Sequence, residues 1–371
     1  MTIYLLLLAG TVILGIPMCR NKAGKITYCA LMGIALFLIA SFRRSTGDDY
    51  NNYAVMYIRY ISTPLEKIAV SKTEKGYTII NKILADYIPE YQIVFILFAL
   101  FFAAAVTFCV YKYCEIPWLG FAFFLTFGIY FNTFNYLRQM TAGFIVLYAL
   151  RYVEKKQFFR YLMIVLFASF FHVSALVMIP FYFILRIRMT PVTLGVYGAL
   201  TTLILIFSWD IIGFVTSFYY KNYAVTNRHV TVGVLPTYMI FFGIFFIAAF
   251  LVRKRLVAAD KFNNVLLNCM FFTFFFELLG VKHSILSRLG VFFIIPAAVV
   301  LMPRVVKALL EICAEKAKKD RKKRTLLSAV AVAVFAAVNL TMFGMMLSEN
   351  YNGVVPYRTV YDDFGTEAAA K

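Results

Sequence analysis

The chain has 371 residues, of which 62% are hydrophobic and only 15% charged. Soluble domains run at about 45–50% apolar and about 25% charged, so a soluble architecture is excluded. The apolar residues come in unbroken runs of about 18–22 rather than in alternation, which excludes an outer-membrane barrel. Lys and Arg outnumber Asp and Glu by 37 to 18. In a membrane chain this excess is the cytoplasmic bias of basic residues beside the spans, not a nucleic-acid footprint.

In chain order, apolar runs at 2–19, 26–42, 91–111, 117–133, 139–153, 191–208, 233–252, 264–281, 285–302 and 325–346 predict membrane spans. Together with the stretch 161–186 they predict an all-α polytopic membrane protein with about eleven transmembrane elements. The first run has no basic leader and no small-residue cleavage site, and reads as a retained helix. Basic clusters at Arg20/Lys22/Lys25, Arg151/Lys155/Lys156/Arg160, Arg186/Arg188, Arg253/Lys254/Arg255 and Lys316–Arg324 should all be cytoplasmic. A single crossing by 161–186 would put one of these clusters outside. The conflict disappears if the stretch enters, turns near Phe170–Ser174 and returns as a re-entrant hairpin; the alternative is one long tilted helix with two misplaced arginines. Irregular backbone at that depth needs protein or a water-filled cavity beside it.

This topology predicts both termini outside and residues 1–364 as one membrane domain. It puts the segment 43–90, the turn at Asn132–Arg138, the segment 209–232 and the Lys282–Ser284 turn outside, with a basic loop 303–324 inside. Residues 365–371 resemble an appended helical linker. No repeat of fixed period is visible, which weakens an inverted-repeat transporter. The six cysteines have no metal-ligand spacing and imply no disulfide framework. No Gly-rich nucleotide loop is present, and no cofactor or metal is expected.

Four groups of residues could carry chemistry. Arg43, Arg44, Asp48, Asp49, Tyr50 and Tyr53 follow the second span. Paired guanidinium groups suit a phosphate or diphosphate, a carboxylate could accept a hydroxyl proton, and Tyr suits sugar stacking. For Arg44 alone an interfacial anchor explains as much. Arg138 and Gln139 open the fifth span, where a charge either snorkels or serves a site. His172 and Ser174 lie at the proposed hairpin turn, with a hydrogen-bonded structural histidine as the alternative. Glu277 lies inside an apolar run ahead of Lys282, His283 and Arg288, and an internal Glu277–Arg288 ion pair would account for it.

A further pattern joins these groups. Phe42-Arg43, Gly47-Asp48-Asp49-Tyr50 and Tyr53, then Glu74-Lys-Gly76-Tyr77 to Asn81, then Leu137-Arg138-Gln139, Phe171-His172-Val-Ser174-Ala175 and Ser287-Arg288-Leu289 follow in that order. Over roughly residues 40–300 the chain resembles the EpsG family of Wzy-type polysaccharide polymerases. The family usually has Thr where this chain has Asp48, which favours Asp49 as the family carboxylate. The resemblance implies an enzyme of the bacterial cytoplasmic membrane with its active site facing outside. It would join undecaprenyl-diphosphate-linked oligosaccharide repeat units without a nucleotide sugar, beside a flippase and a chain-length regulator. The expected roles are Arg43, Arg138 and Arg288 on the diphosphate, and Asp49 or His172 as base. Arg44, Asp48, Tyr50, Tyr53, Gln139, Ser174 and Glu277 would contact substrate. The alternatives are a lipid-linked oligosaccharide flippase or transporter, and a surface-glycan ligase or acyltransferase.

Overall fold

A computed structural model describes residues 1–69, 73–208, 235–282, 284–316 and 321–362. The expected segment 209–232, His283, part of the Lys316–Arg324 cluster and the tail 365–371 therefore lie outside the described residues. Helix makes up 83% of the structure, with no strand among the described residues. An isolated bridge pairs Arg43 with Thr359.

Local sequence sets the helix boundaries. α1 (Thr2–Met18) is followed by α2 (Lys22–Ser41), whose start is fixed by Asn21 accepting from the Gly24 amide at 2.8 Å. The segment between the second and third spans holds α3 (Tyr50–Ser62), α4 (Leu65–Ala69) and α5 (Lys75–Tyr87). α6 (Gln92–Tyr113) then crosses the bundle. The run 117–133, expected as one span, is broken. α7 (Pro117–Thr126) and α8 (Ile129–Asn135) meet at Gly128, whose φ of 71° no continuous right-handed helix can contain. α9 (Leu137–Glu154) is buried along most of its length despite Arg138 and Arg151.

The stretch expected to re-enter does fold back on itself. α10 (Phe158–Ser169) turns at 170–172 into a 3₁₀ segment (Val173–Val177) that continues as α11 (Met178–Ile184). The first residue of one limb packs on the end of the other, with ring centroids of Phe158 and Tyr182 5.0 Å apart. The Tyr161 hydroxyl donates to the Met178 carbonyl at 2.6 Å. α12 (Pro191–Ile206) begins at a Thr190 cap with Pro at the first position. α13 (Leu235–Leu251), α14 (Arg253–Ala259) and α15 (Asn263–Gly280) follow. α16 (Arg288–Lys316) is continuous apart from a π segment after Pro296, and α17 (Arg321–Ser348) completes the bundle. The connection expected at 303–324 is thus largely helical, because residues after Met302 form an amphipathic turn-by-turn extension of the span.

Among the described residues five helices are long and apolar enough to cross a membrane: Lys22–Ser41, Gln92–Tyr113, Asn263–Gly280, Arg288–Lys316 and Lys322–Ser348. The remaining apolar helices are shorter, which is why length alone does not reproduce the expected eleven.

Polar contacts sort the connections to two ends of the bundle. At one end Lys25 donates to the Cys114 carbonyl at 3.3 Å, and Lys307 pairs with Glu115 at 2.5 Å. There too Asp260 accepts from Arg304 at 3.1 Å and lies 3.6 Å from Arg151, while Asn264 bonds the Ile187 carbonyl at 2.9 Å. Members of four of the five basic clusters, or their immediate neighbours, therefore share this end with the Arg255–Glu315 pair. At the other end Gln92 donates to the Ser41 and Arg43 carbonyls at 2.7 and 3.0 Å. Tyr4 reaches the Val354 carbonyl at 3.1 Å, and Tyr238 meets Glu349 at 3.1 Å.

The hairpin has a direct check. Cysteines in place of Phe158 and Tyr182 should cross-link through a short bifunctional thiol reagent. A straight helix would hold them about 36 Å apart, beyond the reach of any such reagent.

Candidate active site

Three side chains from separate elements meet at the hairpin tip. Glu74 stands at the N-cap of α5, Arg138 in the first turn of α9, and His172 at the turn between the hairpin limbs. Glu74 Oε1 lies 2.7 Å from His172 Nδ1, and its Oε2 accepts from Arg138 Nη1 at 2.5 Å. The carboxylate is 13% exposed, the guanidinium 30% and the imidazole 25%, so the charge bridge is sunk while its two partners keep an open flank. His172 gives the carboxylate a hydrogen bond and Arg138 gives it a counter-charge, and both favour its ionised form.

An ionised Glu74 fixes the tautomer of its partner. Nδ1 carries the proton that Glu74 accepts, which leaves Nε2 of a neutral ring with a free lone pair. Nε2 has no hydrogen-bond partner among the described residues. Tyr53 interacts with the Arg138 guanidinium from α3, and the Tyr77 ring lies 5.8 Å from it. The Ser174 hydroxyl oxygen is buried beside this turn without a hydrogen-bond partner among the described residues.

The seat of Glu74 depends on a glycine two residues later. The Gly76 amide donates to the Phe170 carbonyl at 2.8 Å, and a Cβ at Gly76 would stand 2.8 Å from that same oxygen. Both atoms belong to backbone, so any side chain there must push α5 off the hairpin tip.

A second group surrounds the other side of the α9 start. Gln139 donates to the Arg288 carbonyl at 2.8 Å, and the Arg288 guanidinium lies 5.0 Å from the Tyr136 ring. Arg288 is exposed and makes no ion pair among the described residues. A cavity of about 50 Å³ here is lined by Asn132, Tyr136, Tyr238, Glu277, Arg288 and Tyr351 among others. Glu277 faces it without an ion pair among the described residues, and the expected Glu277–Arg288 bridge is not formed. Asp48, Asp49, Arg288 and Glu277 all act electrostatically on Tyr136, which places the Asp48–Asp49 turn on this side rather than beside His172.

The first group of expected residues is tied into the turn that follows α2. Arg43 is 2% exposed; its Nη1 donates to the Thr46 carbonyl at 2.7 Å and its guanidinium lies 4.4 and 4.9 Å from the Phe134 and Phe95 rings. Tyr50 stacks on Phe95 at 4.1 Å and donates to Gln92 at 2.7 Å. The Arg44 amide donates to the Arg358 carbonyl at 2.9 Å. The Asp49 amide donates to Asn135 at 3.0 Å and its carboxylate accepts from Asn52 at 3.2 Å. Asp48 is exposed, and its carboxyl is raised by partial burial and by the neighbouring Asp49 charge. The C-terminal stretch, to which sequence reasoning gave no role, closes over this turn. Gly353 and Asn352 carbonyls accept from the Gly47 and Asp48 amides at 2.8 and 3.2 Å. The Asn352 side chain also donates to Asn132 at 2.7 Å.

The residue that sequence reasoning missed as a site member is Glu74. Its signal was present in the Glu74-Lys-Gly76-Tyr77 block, but nothing local marks a carboxylate in a charged outer segment as the one that turns inward. Among the described residues no group of three His, Cys, Asp or Glu side chains could hold a metal ion.

The profile of the EpsG family matches residues 26–359, nearly the whole chain. The protein belongs to this family, that of Wzy-like polysaccharide polymerases. Comparison with curated proteins and with solved structures found no match.

Two outcomes are expected of the Glu74 cluster. Gly76→Val should lower activity as severely as Glu74→Gln, because it displaces the carboxylate without removing it; polymer yield in membranes matched for protein level reads this. At pH 7 Glu74→Gln should melt below wild type, because Arg138 and His172 lose the carboxylate that joins them; a thermal-stability assay on the purified protein reads this.

Proposed function

We propose that the protein polymerises lipid-linked oligosaccharide repeat units at the outer face of the cytoplasmic membrane, with undecaprenyl diphosphate as the carrier and leaving group. Family membership supports polysaccharide polymerisation. The observation that carries the mechanism is the Glu74–His172 contact at 2.7 Å, with a free Nε2 and two arginines reached from the same helix start.

The orientation follows from the basic end of the bundle, which belongs in the cytoplasm. The Glu74–Arg138–His172 cluster then lies towards the outer side. The acceptor sugar hydroxyl gives its proton to His172 Nε2 as its oxygen attacks the anomeric carbon of the donor. Glu74 keeps the ring oriented and stabilises the imidazolium that results, and such positioned bases contribute about 10²–10⁴-fold. The bond from that carbon to the diphosphate breaks, and negative charge grows on phosphate oxygens. Arg288, whose charge no carboxylate cancels, is the principal diphosphate ligand. Arg138, partly neutralised by Glu74, supplies its exposed edge as the second. Arg43, enclosed by rings and its own turn, holds the outer loop in place instead of touching substrate.

On this reading Arg288→Lys should cut polymer formation at least about tenfold, because it keeps charge but loses the planar fork. His172→Gln should cut it about a hundredfold or more. Arg43→Lys should act through protein level rather than turnover. Cells carrying the inactive variants should accumulate single lipid-linked repeat units on the outer leaflet. Accumulation on the inner leaflet would identify a flippase, and normal polymer in His172→Gln alongside none in Asp49→Asn would make Asp49 the base. An impermeant thiol reagent should label a cysteine at Glu90 but not at Lys307 in intact cells.

A further inference from the structure

α5 is inside out for a helix lying in water. Beside Tyr77 and Ala85, the residues it turns towards the protein are polar: Thr78 and Asn81 are fully buried and Lys82 is 7% exposed. Lys82 donates to the Tyr60 carbonyl at 3.1 Å and pairs with Asp86, while Asn81 donates to the Tyr77 carbonyl at 2.7 Å. The residues it turns outward are aliphatic, with Ile79 47% and Ile83 54% exposed. A helix half in water places these classes the other way round.

The outward stripe has a definite neighbour. Gly76, Ile79 and Ile83 recur at i, i+3 and i+7 and so share one face. Gly76 seats that face on the hairpin tip at the Phe170 carbonyl. Phe170 is itself 57% exposed, and Val173 on the far side of His172 is 46% exposed. The isoleucine stripe therefore continues the apolar surface of the hairpin. The exposed polar residues of α5, Asp86 and Tyr87, stand at its end, and Glu90 follows just beyond it.

Depth agrees from two directions. Tyr77 stacks on Phe98 at 5.6 Å, and Phe98 lies six residues along α6 from Gln92, which is about 9 Å below the end of that helix. From the opposite end, hairpin limbs of 12 residues rise about 18 Å, which stops about 12 Å short of the far side of a hydrocarbon core about 30 Å thick. α5 thus begins well inside the outer leaflet and climbs to its surface.

We infer that α5 is a membrane-embedded half-helix whose Ile79–Ile83 stripe, with Phe170, packs against the hydrocarbon chains of outer-leaflet lipid. The stretch between the second and third spans is then not a solvent-facing loop but part of the wall that separates the Glu74 cluster from the bilayer. This conclusion rests on burial and depth and is independent of the catalytic roles.

Spin labels on single cysteines replacing Ile79 or Ile83 test it, in the full chain without its native cysteines and reconstituted in bilayers. The ratio of collisions with oxygen to collisions with an aqueous nickel chelate should fall within about twofold of that at Ile34, an exposed position in the middle of α2, and severalfold above that at Asn51. A ratio equal to that at Asn51 would mean water and overturn the proposal. Low collision rates with both reagents would mean a covering protein and overturn it equally. Should a labelled chain fail to reconstitute, Ile83→Trp, with the two native tryptophans replaced by Phe, gives a second reading. Lipids brominated on the acyl chains should remove half or more of its fluorescence, and unquenched emission would sink the idea.

Discussion

A carboxylate that is sunk beneath one end of a membrane bundle must be paired, since an isolated charge there is costly. Glu74 meets that demand with two partners, Arg138 and His172, which lie 64 and 98 residues away in the chain. One charge thereby fixes the mutual placement of α5, α9 and the hairpin tip. The same contact sets which nitrogen of His172 is free, so the electrostatic requirement of the fold and the chemical requirement of the site are met by one side chain.

The hairpin depends on this arrangement in turn. Interrupted backbone at membrane depth is tolerated only where protein or a wet cavity satisfies it. The Phe170 carbonyl, freed by the turn, is taken by the Gly76 amide, and Tyr161 takes the Met178 carbonyl within the hairpin. Glycine at position 76 is what allows the two backbones to come so close.

The arginines show how environment separates residues of one type. Arg43 has lost its access to water and spends its guanidinium on a carbonyl and aromatic faces. Arg138 is half committed to Glu74, whereas Arg288 remains exposed with no carboxylate against it. All three stand near the same end of the bundle, and only the last two border open space. The cavity beside Arg288 adds Glu277, which the surrounding apolar helices hold without a counter-charge.

The sequence by itself determined the helical membrane class, because runs of about 20 apolar residues can satisfy their backbone in lipid in no other way than as helices. It also pointed to the fold-back at 161–186 through the parity of the basic clusters, against one long tilted helix with two misplaced arginines, and the structure has the fold-back. His172, Arg138 and Arg288 were legible as candidates because charged and titratable side chains stand out in apolar runs. Tertiary structure alone decided that Arg43 is enclosed, that Glu74 meets His172, and that residues 350–360 close over the Gly47–Asp48 turn. In the 43–90 segment and the C-terminal stretch, polar residues are common, so composition gives no contrast between those that face water and those that turn inward. Only the packing of α5 against the hairpin makes that choice, through one close backbone approach at Gly76 and one shared carboxylate.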